Sequence, residues 1–342
     1  MQGSLPPLHF RPILKEKPWG GRNMAHYLGK ALPGVDRFGE SWEIAHCGAD
    51  SSVVSGGSLD GTTLPELLRQ HRDEIFGDHD PGGDEFPLLV KYLDANQWLS
   101  VQVHPDDAHS PTGVGKTEAW VVLRAAPEST ILAGLKRGVG RKELEAAIAS
   151  GNVLDCLNSV PVSAGDCISI PAGTIHAIGP GVVIAEIQQQ SDCTYRFSDW
   201  GRGRELHIEQ ALDCMDFERG PVFPVHPLFK TTGEGVQEQL VSNEYFRLDR
   251  TTHASSFQLE ESAAFSILMV VHGRGRMFQS DGIRELRVGS TVLVPAHVEP
   301  ALCVPEKELT TLLIRPPVGA LRSNFPQRRL SRPQVAAFSR GE

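Results

Sequence analysis

Two histidines, a glutamate and a glutamine occupy positions whose types and spacing are typical of a metal site. The stretch WLSVQVH alternates apolar and polar residues, which predicts a strand with Ser100, Gln102 and His104 on one face. After the turn-rich stretch PDDAHSPTGVG, a second strand is expected near Lys116, with Lys116 and Glu118 on one face. An imidazole and a carboxylate on adjacent strands would supply half of the ligands of a divalent ion.

The other half of this predicted metal site lies in residues 165–179, GDCISIPAGTIHAIG. The glycines and the proline predict two turns around a short strand, after which His176 begins the next strand and points inward. A lone histidine on an apolar strand is more often a packed core residue than a ligand. Here, however, His104 and Glu118 stand on similar short strands beside Gln102. Two imidazoles, a carboxylate and an amide oxygen would suit Zn²⁺ and leave room for water or substrate.

Two basic side chains stand in strands where a charge needs an explanation. Lys91 interrupts the apolar strand predicted for 86–93, so it either lies at a sheet edge or points into a polar cavity. The polar face of the next strand favours the cavity. Arg196, on a short strand predicted for 194–197, is either a clamp for phosphate or a carbonyl, or one partner of a structural salt bridge.

Three other residues admit both structural and functional interpretations. Trp19 and Glu40 lie in strand-and-turn segments, where a core tryptophan and an ordinary strand glutamate are the favoured interpretations. Glu186, on a strand predicted for 182–188, is a candidate general base, although it would also suit a residue that only orients a lysine.

The composition excludes several classes of protein. The chain has 342 residues, of which 40% are hydrophobic and 22% charged, as in a soluble globular protein. A net charge of −9 argues against nucleic acid or anionic membrane as a partner, and an anionic substrate would need a local basic pocket. No apolar stretch approaches the ~20 residues of a membrane span. Six cysteines without a C-x-x-C pair, and an N-terminus without a leader, predict a cytoplasmic protein with reduced thiols.

Helix signals appear at two places. Residues 63–76 are predicted to be helical, with Thr63 as N-cap and Gly77 just past the end. A second helix is predicted within 140–150. It lies in an excursion at about 136–160 that we interpret as an inserted cap outside the sheets.

Three prolines at 221, 224 and 227 predict a linker and a domain boundary. Residues 1–220 would form a catalytic domain, and 221–342 a second β domain with a Pro- and Arg-rich tail from 315 onwards. Part of this tail is expected to pack back on the first domain.

The second domain is predicted to repeat part of the first. Gly289, five residues and Pro295-Ala296 match Gly165, five residues and Pro171-Ala172. The position equivalent to His176 is Pro300, which cannot bind metal, so the second domain is expected to be metal-free. We interpret His297, which is offset from that position, as a surface or core histidine.

Taken together, these motifs resemble those of a known family. The Gly-x5-Pro-x-Gly-x-x-His stretch is similar to the second motif of the cupin superfamily. The combination of QVHPDD, KTEAW, PAGTIHAIG and EIQQQSDCTYRFSDWGR resembles the type I phosphomannose isomerases, in particular their short bacterial form. Two positions depart from the cupin pattern: Pro180 replaces the asparagine often found four residues after the histidine, and Gln102-Val103-His104 replaces His-x-His.

The resemblance implies a mainly β chain with two tandem jelly-roll barrels of the cupin type and a small helical cap. It implies a metal-dependent aldose–ketose isomerase that interconverts mannose 6-phosphate and fructose 6-phosphate through a cis-enediol or enediolate, with one Zn²⁺ per chain. The expected site residues fall into three groups: metal ligands His104, Glu118, His176 and Gln102; catalytic residues Arg196, Lys116 and Glu186; substrate-binding residues Ser100, Lys91 and Trp19.

Two other functions are compatible with a cupin sequence. One is an iron-dependent dioxygenase, which the glutamine ligand disfavours because such cupins generally use more histidine. The other is a non-catalytic sugar-phosphate sensor, which would be expected to have lost Arg196 or a metal ligand, and the sequence retains all of them. The isomerase is therefore the favoured function, and a monomer the default oligomeric state.

Overall fold

The computed structural model describes residues 4–232 and 235–317 as 23 strands and five α-helices. The strands of the first half are β1 Leu8–Arg11, β2 Ile13–Gly21, β3 Phe38–Ile44, β4 His46–Cys47, β5 Asp50–Ser51, β6 Val53–Val54, β7 Leu88–Ala95, β8 Val101–Val103, β9 Glu118–Ala125, β10 Thr130–Leu135, β11 Leu157–Pro161, β12 Cys167–Ile170, β13 His176–Ile178, β14 Val182–Gln189 and β15 Tyr195–Ser198.

Eight more strands follow: β16 Leu228–Thr232, β17 Gly235–Ser242, β18 Arg247–His253, β19 Phe257–Leu259, β20 Ser266–Gln279, β21 Gly282–Arg287, β22 Thr291–Val294 and β23 Ala301–Arg315. The helices are α1 Asn23–His26, α2 Leu64–Gln70, α3 Arg72–Phe76, α4 Arg141–Ala149 and α5 Ile208–Cys214. The prediction of a mainly β chain is confirmed. Within residues 4–232 and 235–317, no helix has the length and hydropathy that a membrane crossing requires.

Three antiparallel sheets account for nearly all the strands. A six-stranded sheet has the order β12-β9-β14-β7-β3-β2, and a five-stranded sheet has the order β11-β10-β13-β8-β15. A ten-stranded sheet contains all eight strands from β16 to β23 together with β1 and β6.

The six-stranded sheet lies between the other two, because its residues alternate between two cores. On β14, Val183, Ala185 and Ile187 pack in a cluster with strands of the ten-stranded sheet, such as β20 and β23. Val182 and Ile184 face a second cluster shared with the five-stranded sheet. The period of two therefore gives each residue of this sheet a defined layer.

The predicted helices form with two differences. Thr63 caps α2 in a capping box with Glu66, as expected, and Gly77 follows α3. The segment is not one helix, because His71, with φ −134° and ψ 34°, leaves the helical region between α2 and α3. The predicted cap contains α4 and a 3-10 turn at Val153–Cys156, but its last residues are not outside the sheets, because β11 pairs with β10 in the five-stranded sheet.

The second half has longer strands than expected. β20 and β23 contain 14 and 15 residues, whereas the apolar pattern predicts only 265–271 and 310–314. Their pairing has two register shifts, and one contains Gly273, at φ +84°, where a Cβ would meet the carbonyl oxygen of Glu308. These bulges disrupt the alternation on which strand prediction depends.

The division at residue 220 stays a prediction. β1 lies in the ten-stranded sheet, where Leu8 pairs with Leu293 of β22, and Phe10 pairs with Val54 of β6. The predicted first domain thus contributes two strands to the sheet of the second. Residues 318–342, which contain most of the predicted tail, lie outside the described residues.

Three phenylalanines join elements of both halves. The ring centroid of Phe265, which is 1% exposed, lies 5.0 Å from that of Phe86 and 5.7 Å from that of Phe76. We expect Phe265→Ala to lower the free energy of unfolding by about 3–5 kcal/mol, because it leaves a cavity among close-packed rings. The measurement is urea unfolding followed by circular dichroism. The control is Phe229→Ala, at a 71% exposed position, with an expected change of about 0.5 kcal/mol. Equal losses in both variants would contradict this account.

Candidate active site and metal centre

The two halves of the predicted metal site meet between the five- and six-stranded sheets. His104 follows β8, His176 begins β13, and Glu118 begins β9 on the opposite sheet; all three are 1% exposed. One ligand atom from each lies within 4.8 Å of the others. The Nε2 atoms of His104 and His176 are 3.6 and 3.5 Å from separate carboxylate oxygens of Glu118. These side chains can therefore face one ion.

Both imidazoles are oriented by backbone carbonyls behind them. His104 Nδ1 is 2.8 Å from the carbonyl oxygen of Cys193, and His176 Nδ1 is 2.9 Å from that of Thr174. Nδ1 must carry the proton to donate these bonds, which leaves the Nε2 lone pairs directed at Glu118. Burial, followed by the nearby ammonium of Lys116, holds the pKa of His104 well below its ordinary value, and burial lowers the pKa of His176 to about 4. Neutral imidazoles are the form that binds metal.

The amide of Gln102 contacts both histidines. Its Nε2 lies 3.4 Å from His104 Nε2 and 3.3 Å from His176 Nε2, while its Oε1 accepts a hydrogen bond of 2.8 Å from Ser100 Oγ. As a metal ligand, Gln102 would present Oε1 instead. Rotating the amide is compatible with Ser100, because a hydroxyl group can accept a hydrogen bond as well as donate one.

The ammonium of Lys116 lies beside the same ligand atoms. Its Nζ is 2.9 Å from His104 Nε2 and 2.9 Å from Glu118 Oε2. The Oε2 atom of Glu118 is buried and accepts no hydrogen bond of good geometry from the described residues. This combination of a buried anionic oxygen and two neutral nitrogens attracts a cation.

A row of alternating charges crosses the face of the six-stranded sheet that faces the five-stranded sheet. Lys91 Nζ lies 3.0 Å from Glu186 Oε1 and 3.8 Å from Glu40 Oε2, and Glu40 Oε1 lies 3.1 Å from Lys17 Nζ. Glu186 Oε1 is also 3.7 Å from Lys116 Nζ. The prediction that Lys91 points into a polar cavity agrees with these contacts, and its side chain is only 4% exposed.

The charges in this row change one another's pKa. Burial alone would lower the pKa of Lys91, but the carboxylates of Glu186 and Glu40 raise it above its ordinary value. Burial would raise the pKa of Glu40, yet Lys91, Lys17 and the indole of Trp42 together lower it to about 2. Burial, followed by the like charge of Glu118, raises the pKa of Glu186. Glu186 is therefore the carboxylate of this row that is most easily protonated.

Arg196 lies on β15, opposite Gln102 of β8. Its Nε is buried and has no hydrogen-bond partner among the described residues. The salt-bridge interpretation fits Arg204 better, since Arg204 makes two hydrogen bonds to the carboxylate of Asp199. Burial, and then the positive charge of Arg204, lower the pKa of Arg196. A guanidinium with a free buried donor is suited to an oxygen of a bound anion.

These residues line a cavity of about 560 Å³ that opens to solvent. Eight of the ten predicted site residues line it: Trp19, Lys91, Ser100, Gln102, Lys116, Glu118, Glu186 and Arg196. His104 and His176 are buried beside Gln102 and Glu118 and do not line the cavity themselves. Trp19, which the sequence favoured as a core residue, is 3% exposed and belongs both to the core between the sheets and to the cavity wall.

Four charged residues of the wall were not predicted as site residues: Lys17, Glu40, Asp192 and Arg204. The sequence contains a sign that Glu40 is a site residue. Glu40 lies two residues before Trp42 and thus on the same strand face, where the indole Nε1 of Trp42 donates a hydrogen bond of 2.7 Å to its carboxylate. Glu43 instead pairs with Lys30, outside the cavity lining. Asp192 and Arg204 lie outside the strands, where no alternation of residues predicts which way a side chain points.

Several known proteins are similar to this chain. The family model for the phosphomannose isomerase type I catalytic domain matches residues 8–129. Mannose-6-phosphate isomerase ManA of Bacillus subtilis is 35% identical over 305 residues, which cover 84% of this chain and 93% of ManA. The mannose-6-phosphate isomerase of Streptococcus mutans is 36% identical over 302 residues, covering 86% of this chain and 93% of the relative.

The chain belongs to the type I phosphomannose isomerase family.

Membership of the phosphomannose isomerases confirms the resemblance stated from the motifs. The crystal structure of the mannose 6-phosphate isomerase from Bacillus subtilis superposes with a TM-score of 0.81 at 29% identity, covering 90% of this chain and 99% of that one. The expected cupin fold is thereby confirmed.

The residues present fit the metal that this phosphomannose isomerase family uses. The donor set offers two Nε2 lone pairs, a buried carboxylate oxygen without a good hydrogen bond, and an amide within 3.4 Å of both imidazoles. Each imidazole has the carbonyl support that metal-binding histidines commonly show.

The low pKa of His176 predicts how the metal-free protein responds to acid. The unfolded imidazole, with a pKa of 6.5, takes up its proton before the folded one at about 4, so folding stability is lost as pH falls between these values. We expect His176 to contribute about 3 kcal/mol to this loss. Urea unfolding of chelator-treated protein between pH 7 and pH 4 measures it, and His176→Gln should flatten the dependence. The matched control, His26→Gln at an exposed position, should leave it unchanged. An equally steep loss in His176→Gln would contradict the assignment.

Proposed function

We propose that this chain interconverts mannose 6-phosphate and fructose 6-phosphate; its relatives from Bacillus subtilis and Streptococcus mutans are named mannose-6-phosphate isomerases. The observation that carries the proposal is that the unpartnered guanidinium nitrogen of Arg196 belongs to the same cavity wall as Gln102 and Glu118, two members of the predicted metal-ligand set. An aldose–ketose isomerase needs both, because negative charge develops on the sugar oxygens as a proton leaves carbon.

We propose that His104, Glu118, His176 and Gln102 hold one Zn²⁺ per chain. Two imidazoles and a carboxylate are donors that zinc accepts, and an amide oxygen completes four ligands. When bound, the ion supplies Lewis-acid stabilisation of negative charge on the substrate oxygens. Displacing the ammonium of Lys116 from between His104 and Glu118 would leave that side chain available to the sugar.

The charge of the cavity suits a sugar phosphate. Its wall carries five cationic and four anionic side chains, so it is positive although the whole chain has a net charge of −9. Lys17, Lys91 and Lys116 are each paired with a carboxylate, whereas Arg196 has a free donor. We place the developing oxyanion within reach of Arg196. Ser100 and Lys91 contact the hydroxyl groups or the phosphate, and Trp19 supports the sugar ring from the wall.

Proton transfer at carbon requires a base that can accept a proton and return it. We propose that Glu186 takes the proton from C2 of the open-chain aldose and returns it to C1, while a proton moves from O2 to O1. Its raised pKa brings it closer to neutral pH than the other carboxylate of the row, Glu40, and Lys91 at 3.0 Å fixes its position.

The first test is isomerase activity on mannose 6-phosphate, coupled to a fructose 6-phosphate readout. Chelator-treated protein should be inactive, and Zn²⁺ should restore activity, with one zinc per chain by elemental analysis. Arg196→Ala should lower kcat about 10²–10³-fold, as loss of one donor to a developing oxyanion does. The matched control, Arg137→Ala at an exposed position, should keep wild-type rates. Protein that binds zinc but turns over neither sugar phosphate would refute the substrate assignment.

The second test separates the two interpretations of Glu186. If Glu186 is the base, Glu186→Gln should lower kcat about 10²–10⁴-fold and remove the acid limb of the pH–kcat profile. The control is Glu40→Gln, because Glu40 is the other carboxylate partner of Lys91 and this variant should retain that limb. A Glu186→Gln enzyme with a normal pH profile and modest loss of rate would show that Glu186 only orients Lys91.

We also propose a monomeric, cytoplasmic enzyme without nucleic-acid or membrane partners. The net charge of −9 argues against nucleic acid and anionic membrane as partners, and six free cysteines, none of them in a C-x-x-C pair, favour a reducing compartment. Sedimentation equilibrium of the purified chain at micromolar concentration tests the oligomeric state, and a dimer mass would contradict it.

A further inference from the structure

One carboxyl group connects the active-site loop to the second half of the chain. Asp107 lies in the loop between β8 and β9, and its Oδ1 accepts hydrogen bonds from the backbone N–H of Gly115 at 2.7 Å and from Gln189 Nε2 at 2.9 Å. Its Oδ2 accepts a hydrogen bond from Tyr245 Oη at 3.3 Å. The carboxylate of Asp107, at the start of this loop, thus joins three other segments: the end of the loop, β14 and the second half of the chain.

The end of the loop that Asp107 holds is the segment that delivers Lys116. Three successive amides are bonded there: Gly115 N to Asp107, Lys116 N to the carbonyl oxygen of Pro105 at 2.9 Å, and Thr117 N to Gln189 Oε1 at 2.8 Å. A Cβ at Gly115 would lie 2.6 Å from the backbone of Asp106, so the two ends of the loop touch. The backbone of Lys116 is therefore fixed on both sides.

Tyr245 reaches Asp107 from a rigid turn between β17 and β18. The side-chain oxygen of Asn243 accepts hydrogen bonds of 2.9 Å from the backbone N–H groups of Tyr245 and Phe246, and Phe246 is fully buried. Burial, followed by the charge of Asp107, raises the pKa of Tyr245, so the phenol remains protonated and able to donate. The turn therefore presents a donor whose position its own backbone fixes.

We propose that Tyr245 and Asp107 are positioning residues for Lys116, and that their hydrogen bond gives the second half of the chain a part in the active site. The backbone of Lys116 places its Nζ 2.9 Å from both His104 and Glu118, so a displacement of that backbone by a few tenths of an ångström moves the ammonium relative to these side chains and to the sugar that it is proposed to meet. Activity depends steeply on such placement. The kinetic part of this proposal rests on the proposed isomerase function.

The kinetic test is Tyr245→Phe, which removes one hydroxyl group and keeps the ring. We expect kcat to fall about 3–10-fold with KM within about twofold, because the substrate still binds while a catalytic group is misplaced. The matched control is Tyr27→Phe. Tyr27 is also half-buried, packs on the same core cluster and donates one hydrogen bond, to the carbonyl oxygen of Leu123. Tyr27→Phe should keep wild-type kcat and KM.

A second readout does not depend on turnover. Hydrogen exchange of a peptide spanning 105–117, followed by mass spectrometry, reports the amides of Gly115, Lys116 and Thr117. Their exchange should accelerate in Tyr245→Phe and more so in Asp107→Ala, and remain unchanged in Tyr27→Phe. If the wild-type enzyme does not isomerise mannose 6-phosphate, the proposed function fails, yet this exchange still tests the positioning.

The double variant decides whether Tyr245 acts through Asp107. In an Asp107→Ala background, Tyr245→Phe should cause no further loss of kcat or of amide protection. The proposal is overturned if Tyr245→Phe exchanges these amides at the wild-type rate, or if the two changes are independent and their effects multiply.

Discussion

The pairing of unlike charges on one face of the six-stranded sheet is the constraint on which the site depends. Glu186 and Lys91 stand directly opposite each other in the pairing of β14 with β7, and both are nearly inaccessible to solvent. Removing either partner would leave a buried uncompensated charge, which is among the most costly defects in a protein interior. A slip of one residue in β7 would turn Lys91 into the apolar core on the other side. The register of the sheet and the charge of the cavity therefore specify each other.

The two faces of the six-stranded sheet have different roles: one packs in the core that stabilises the fold, and the other carries residues of the site. Val90 and Tyr92 pack against the ten-stranded sheet, while Lys91 between them lines the cavity. The strand neighbours of such a charged residue pack in the largest core and thereby fix the backbone that carries the charge. The same holds for Glu118 and Glu186, since their strand neighbours Ala119, Ala185 and Ile187 also pack in this core.

The alternation of residues along strands correctly predicted the site residues that lie on or next to strands. Ser100, Gln102 and His104 form the expected row, because alternation along a strand fixes direction. Lys116 faces this row with Glu118 as expected, but it lies in the loop just before β9, and hydrogen bonds of the loop fix its backbone. Arg204 and Asp192 were missed, since residues outside strands have no such signal. The contact of Tyr245 with Asp107 joins residues 138 positions apart, and no local pattern encodes it. The interruption of the predicted helix at His71 was also missed, because no Pro or Gly lies at that position to indicate a break.

The position of β1 has a consequence for biosynthesis. Leu8 pairs with Leu293, and Leu5 bridges to Val298, so β1 meets β22 only after most of the residues between them have been made. During translation, one edge of β1 has only the short β6 to pair with while the other remains without its native neighbour. Sequence-distant pairing of this kind slows folding and leaves hydrogen-bonding groups open to other nascent chains. Of all the strand pairs in the ten-stranded sheet, the pairing of β1 with β22 spans the greatest distance in sequence, so β1 waits longest for this neighbour.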